Sequence, residues 1–194
     1  MTQTRPIQVQ GKPLGGGALP AIITPLVGKT LAIILDEVAA IVPKKPDLLE
    51  WRVDFFESIA DVAAAIEALA RAAADSGARV LYTLPTLQNP TGRIMSCRRR
   101  MDIIEVARRH DIWIVEDDLY SGFAVGTAPP PLAAYAPDRC FYINGTSKAL
   151  APGLRTGYLV APDADHFDRM LRLIRARIYS PASMGSLIAT QWIE

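Results

Sequence analysis

The stretch Phe141-Tyr142-Ile143-Asn144-Gly145-Thr146-Ser147-Lys148-Ala149-Leu150-Ala151-Pro152-Gly153-Leu154-Arg155-Thr156-Gly157-Tyr158 decides how the chain is read. Phe141 to Ile143 form a short apolar run of the kind that makes a buried strand, and it stops at a polar cluster, Asn144 to Lys148. A turn at Pro152-Gly153 then leads to a second strand over 156–160. Parallel α/β sheets take their ligands beyond the carboxyl ends of strands. The polar residues that follow an apolar run are therefore the informative ones, and here they include a lysine with Arg155 seven residues beyond it.

Two runs upstream end in the same way. Val80 to Leu84 is followed by Gln88-Asn89-Pro90-Thr91-Gly92, and Ile112 to Val115 by Glu116-Asp117-Asp118-Leu119-Tyr120. Between them a helix is predicted from about Ser96, its N-cap, to Arg109. Further upstream the rhythm is again strand and helix: a strand over 21–27, a helix over 30–42 stopped by Pro43, and a strand over 48–53. An alanine-rich helix with Ile59, Val62, Ile66 and Leu69 on one face comes next, closed by Gly77. Two helices end the chain, one over 163–179 expected to bury Phe167, Met170, Leu171, Ile174 and Ile178, the other from 182. The class is α/β throughout. An amide, a carboxylate with a phenol, an amine and a guanidinium can thus converge on one crevice, a set that suits an anionic aromatic cofactor.

Taken singly, Lys148, Asp117 and Arg155 read as surface residues; only their joint pattern argues otherwise. Glu116 and Asp118 read as strand-end and surface acids, and Arg98-Arg99-Arg100 as a solvated helix face, since consecutive helical residues point in different directions. Gly15-Gly16-Gly17 reads as a flexible turn, because no helix N-terminus follows it directly.

Composition sets outer limits. The 194 residues hold 21 Lys+Arg against 20 Asp+Glu, so no broad positive field exists to hold a nucleic acid. Two cysteines, Cys97 and Cys140, make no disulfide framework, and no Cys/His spacing reads as a metal site. The polar start and the proline- and acid-broken apolar stretches predict neither a signal peptide nor a membrane span, hence a cytoplasmic protein.

The three clusters Q-N-P-T-G, E-D-D-L-Y and T-S-K-A-L-A-P-G-L-R-T-G-Y, in that order from about Arg79 to Glu194, resemble the successive motifs of fold-type I pyridoxal-phosphate aminotransferases of class I/II. The resemblance implies a partial large domain of that fold, a mostly parallel sheet with flanking helices, and pyridoxal 5'-phosphate as cofactor. It implies that Lys148 forms the aldimine with the cofactor aldehyde and moves the substrate proton, and that Asp117 faces the pyridine nitrogen. Tyr120 and Asn89 would bond the ring oxygen, and Arg155 the phosphate. Where many relatives carry a phosphate-binding serine, three before the lysine, this chain has Gly145, so Thr146 or Ser147 must compensate. The earlier glycine-containing loop, the stacking aromatic and the later substrate-gripping arginine of that family have no counterpart here.

The first part of the chain is different. Gly15 to Gly17, the strand through Ala21 to Thr24, Gly28-Lys29-Thr30 and Glu50-Trp51-Arg52-Val53-Asp54-Phe55-Phe56 resemble the opening of type I 3-dehydroquinate dehydratase, a (β/α)8 barrel, over about Arg5 to Ala65. That resemblance implies substrate contacts by Glu50 and Arg52 at the carboxyl end of a barrel strand. The dehydratase's Schiff-base lysine and general-base histidine lie on strands with no match here, and His110 and His166 read as surface histidines.

The expectation is therefore an incomplete (β/α) barrel-like segment, residues 1–70, ahead of a partial aminotransferase large domain, residues 71–194. Such a chain is chimeric and truncated, with impaired amino transfer between an amino acid and a 2-oxo acid. A dehydratase fragment, a transcriptional regulator of the aminotransferase-like type and a non-catalytic remnant are the rival readings. A homodimer is left open, and neither nucleic acid nor membrane is expected as a partner.

Overall fold

The computed structural model describes residues 7–9, 12–14, 23–44, 48–51, 70–71, 74, 79–180 and 183–193. The chain divides into two compact units, Met1–Ala68 and Leu69–Glu194.

The first unit holds an antiparallel pair, β1 (Ile7–Val9) with β2 (Lys12–Leu14), and a parallel pair, β3 (Ile23–Leu26) with β4 (Leu48–Trp51), joined through helix α1 (Leu31–Ile41). A strand, helix and parallel strand are the repeating unit of barrels and of open α/β sheets alike. Leu26 and Ile34 are buried, with Val38 and Ile41 packed against them. Glu37 ties the β3–α1 turn, its Oε2 accepting from the amides of Val27 and Gly28, each at 3.0 Å. Gly28 is required there, because a Cβ would stand 2.8 Å from the Ile34 nitrogen. The Gly15–Gly17 turn and Arg52 lie outside the described residues, as does most of the alanine-rich segment, of which Ala70, Arg71 and Ala74 are helical.

The second unit is a four-stranded sheet in the order β5 (Val80–Thr83), β6 (Trp113–Asp117), β7 (Cys140–Gly145), β8 (Gly157–Val160). The first three strands run parallel and β8 closes the edge antiparallel. Helix α2 (Cys97–Arg109) and the short α3 (Leu132–Tyr135) cover one face. Ile103, Ile104, Val106 and Ala107 of α2 are buried, together with Ile112 and Ile114 from the sheet side and Leu132 and Ala136 at α3. Ser96 caps α2 as its position predicts, accepting from the Arg99 amide. After β7 come α4 (Thr146–Ala149) and a 3-10 turn, Pro152–Leu154; after β8 come α5 (Ala164–Ile178) and α6 (Ser183–Ile193).

Four expectations need correction. Arg100 is not solvated but fully buried, because position 100 falls on the same stripe of α2 as Ile103, Ile104 and Ala107. Glu116 and Asp118 are buried as well: strand alternation sends Glu116 to the face covered by α2 and α3, beside Ile114. On α5, Phe167, Ile174 and Ile178 are exposed, while Met170 and Leu171 are half-buried. The ring contact with the sheet is made instead by His166, 4.6 Å from Trp113 and 5.5 Å from Phe141 between centroids, so this histidine is packed rather than free at the surface.

Candidate functional site

β6 and β7 deliver their polar clusters side by side. Asp117 pairs with Ile143, and the Asp118 amide extends the ladder by donating to the Ile143 carbonyl at 2.9 Å. Past Gly145 the chain turns into α4, where the Thr146 amide and hydroxyl both donate to the Thr156 carbonyl, at 3.0 and 3.2 Å. The 3-10 turn then ends at Arg155, whose left-handed backbone (φ 50) swings the chain into β8, so that Gly145 faces Gly157. Gly185 of α6 also abuts this turn, since a Cβ there would collide with the Leu154 carbonyl.

The result is a cavity of about 210 Å³ lined by Ser147 and Arg155 together with Leu119, Asn144, Gly145 and Thr156. Its shape depends on Gly145: a Cβ there would lie 3.1 Å from the Thr156 oxygen and 3.2 Å from Leu119 Cδ2. Of the two hydroxyls beside the lysine, Thr146 is consumed in holding the turn, and Ser147 is the one that lines the cavity with the guanidinium. Lys148 is exposed on α4, Tyr120 half-buried after β6 and Asn89 exposed after β5; these three and Asp117 do not line that cavity.

Asp117 is held from two sides. Its Oδ1 accepts from the Leu119 amide at 3.2 Å, and its Oδ2 from the hydroxyl of Tyr82 on the neighbouring strand. Tyr82 registers with Val115, two residues before Asp117, so strand alternation places both side chains on one face. Sequence reasoning missed Tyr82, although the alternation of β5 against β6 carried the signal.

The loop bearing Asn89 is closed internally. The Gly92 amide donates to Gln88 O at 2.6 Å, the Gln88 amide to Arg93 O at 2.9 Å and the Met95 amide to Pro85 O at 2.8 Å. The Asn89-Pro90 bond is cis. Beneath the loop, buried Arg100 donates from Nε to Met95 O (3.2 Å) and from Nη2 to Pro85 O (3.2 Å) and Thr86 Oγ1 (3.1 Å). Its Nη1 reaches Glu116 Oε1 at 3.4 Å, and both side chains are wholly excluded from solvent. Glu116 also accepts the Leu132 and Ala133 amides, each at 2.9 Å. Burial pushes the Glu116 carboxyl up, opposed by those two amides; Asp118 adds to the rise and Arg100 to the opposition. Burial, reinforced by Glu116, pushes the neighbouring Cys140 thiol up to about 12, so it stays a neutral core residue.

Further along β7, Tyr142 donates to Asp118 Oδ2 at 2.9 Å, and Asn144 Nδ2 donates to Tyr142 Oη and Ser121 Oγ, each at 3.1 Å. Burial raises the Tyr142 phenol, with Asn144 acting against it and Asp118 with it. Tyr142, Asn144 and Ser121 line a second, mostly apolar cavity of about 620 Å³ with Val125, Leu150 and Tyr158. In the first unit Glu50 stands on β4 opposite Pro25. Among the described residues there is no metal-binding cluster and no helix long and apolar enough to cross a membrane.

Comparison with known proteins finds relatives of two kinds. The 3-dehydroquinate dehydratase of Albidiferax ferrireducens is 59% identical over 68 residues, 35% of this chain and 26% of that enzyme. Aromatic-amino-acid aminotransferase 1 of Thermococcus litoralis is 34% identical over 119 residues, 60% of this chain and 28% of that one. The chain thus spans about a quarter of the length of these relatives. Among solved structures, the α-aminoadipate aminotransferase of Thermus thermophilus, complexed with N-(5'-phosphopyridoxyl)-L-leucine, superposes with a TM-score of 0.64 at 22% identity, over 89% of this chain and 43% of that one, and so shares its fold. The family pattern described as aminotransferase class I and II matches residues 55–194, which takes in all four strands of the larger sheet and every polar cluster at their ends. With the motifs in the family's order and the fold in agreement, the chain belongs to the aminotransferase class I and II family.

Proposed function

We propose that the chain is a pyridoxal-phosphate-binding, aminotransferase-like protein with residues 71–194 as a partial large domain behind a dehydratase-like segment, residues 1–70. The observation that carries this reading is the cavity shared by Ser147 and Arg155 at the end of the strand that delivers Lys148, beside the strand that ends in Asp117. The donor set fits the cofactor's chemistry: a cation and a hydroxyl for a phosphate dianion, a carboxylate for a ring nitrogen and an amine for an aldehyde.

Arg155 and Ser147 hold the phosphate. Asp117, fixed by Tyr82 and the Leu119 amide, presents negative charge to the ring nitrogen and keeps a proton there. Asn89 and Tyr120 would hold the ring through its oxygen and orient it. Bound in this way, pyridoxal phosphate supplies an electron sink for the pair left when the α-C–H bond of an amino acid breaks. Lys148 Nζ moves the proton from and to that α-carbon. The substrates are an amino acid and a 2-oxo acid. The protein works in the cytoplasm, with no nucleic acid or membrane as partner and a homodimer as a compatible state.

Adding pyridoxal phosphate should produce a visible absorbance band and, after borohydride, a pyridoxyl group on Lys148 found by mass spectrometry. Lys148→Ala should lose both completely. A band that survives this substitution would overturn the assignment.

The 59% identity over 68 residues to a 3-dehydroquinate dehydratase supports a second reading, dehydratase chemistry through Glu50 and Arg52. The resemblance gives these two residues substrate contacts and neither is a Schiff-base lysine, so they alone should leave 3-dehydroquinate unchanged when the ultraviolet absorbance of an enone product is followed. Enzyme-dependent growth of that absorbance would favour the dehydratase reading instead.

A further inference from the structure

We infer that Arg100, countered by Glu116, is a positioning residue that holds shut the loop from Pro85 to Met95 and thereby fixes where Asn89 stands. The inference rests on the proposed cofactor site for the role of Asn89, but the clamp itself does not depend on it.

A buried guanidinium requires acceptors for all its donors and an anion for its charge. Here the acceptors are chosen from both ends of one loop: Pro85 O and Thr86 Oγ1 where it leaves β5, and Met95 O where it enters α2. The planar fork thus bridges the loop's base alongside the backbone bond from the Met95 amide to Pro85 O. The counter-charge is Glu116, which directly precedes Asp117 on β6 and also accepts the first amides of α3 and the Cys140 thiol. One ion pair therefore links the Asn89 loop to the strand end that carries Asp117. Neither partner lines either cavity, so the pair acts through the loop and not on a ligand. A lysine could supply the charge but not the three-way fork, so Arg100→Lys should keep the ion pair and release one end of the loop.

Amide hydrogen exchange on the unliganded chain reads this directly. In Arg100→Lys the amides of Gln88, Gly92 and Met95 should exchange about ten- to a hundredfold faster, the equivalent of losing one charge-assisted hydrogen bond. The His110 and Ile112 amides, at the far end of α2, should keep their rates. Thr86→Val, which removes one acceptor and leaves the charges paired, should give a smaller acceleration at the same three amides. It also decides the matter if Arg100→Lys fails to fold. Unchanged loop exchange in a folded Arg100→Lys or, failing that, in Thr86→Val would overturn the clamp, as would acceleration spread evenly over α2. With pyridoxal phosphate bound, Arg100→Lys should move the visible band in the direction that Asn89→Ala moves it. A band moved by Asn89→Ala but unaffected by Arg100→Lys would refute the positioning claim and leave the cofactor reading intact. If the unsubstituted chain forms no band, the cofactor reading fails, and the exchange rates alone judge the clamp.

Discussion

The two units bury apolar side chains on different frames, a parallel strand pair with one helix in the first and a four-stranded sheet with two helices in the second. Among the described residues the first packs Leu26 and Ile34 with half-buried Val38 and Ile41. The second buries Ile103, Ile104, Val106, Ile112, Ile114 and Leu132 between a four-stranded sheet and two helices. Stability follows from apolar surface removed from water, so truncation in either core should destabilise the unit that holds it.

Truncating one core residue in each unit tests this contrast most severely. Ile114 is fully buried in the central region of the larger sheet, and Ile114→Ala should cost about 2–5 kcal/mol by lost transfer energy and the cavity left behind. Ile34→Ala, packed beside Leu26, Val38 and Ile41, should cost about 2–5 kcal/mol for the same two reasons and act on the first unit's transition. Chemical denaturation followed by far-UV circular dichroism measures both. Equal losses in a single shared transition would mean that the two units unfold as one body and that the contrast has no energetic meaning.

What was legible in the sequence follows the same division of labour. Strands such as Trp113–Asp117 and helices such as Cys97–Arg109 announce themselves through apolar periodicity and a cap, and their bounds shift by only a residue or two. The polar clusters at strand ends were legible because ligand chemistry and the α/β plan confine them to one edge. Arg100 and Glu116 were not, because a charged residue is assigned to solvent by default and only a partner distant in sequence, here across 16 positions, makes burial tolerable. Tyr82 was hidden for a related reason: its significance lies in its neighbour on β6, and pairing of strands 35 positions apart leaves no local trace. The hydrophobic stripe of α5 misled in the opposite sense, since periodicity shows which residues share a face but not whether anything covers that face.

The smallest expected effect lies at the start of α5, where the second unit's sheet meets His166. Asp163 caps this helix, its Oδ1 accepting the His166 amide at 2.8 Å while Oδ2 lies 2.7 Å from the ring Nδ1. The backbone bond first, then the ring, hold the Asp163 carboxyl below its ordinary value of 3.8. A depressed carboxylate stabilises the fold above the unfolded-state value and loses that contribution as pH falls through the folded-state value. Asp163→Asn retains a good N-cap but removes the titration. The difference in stability between the parent and Asp163→Asn should therefore shrink on acidification through and below the aspartate range. The readout is unfolding midpoints in denaturant across pH. A difference that does not change with pH would show that His166 is held by its stacking on Trp113 and Phe141 alone, and that the second unit owes this junction to packing rather than charge.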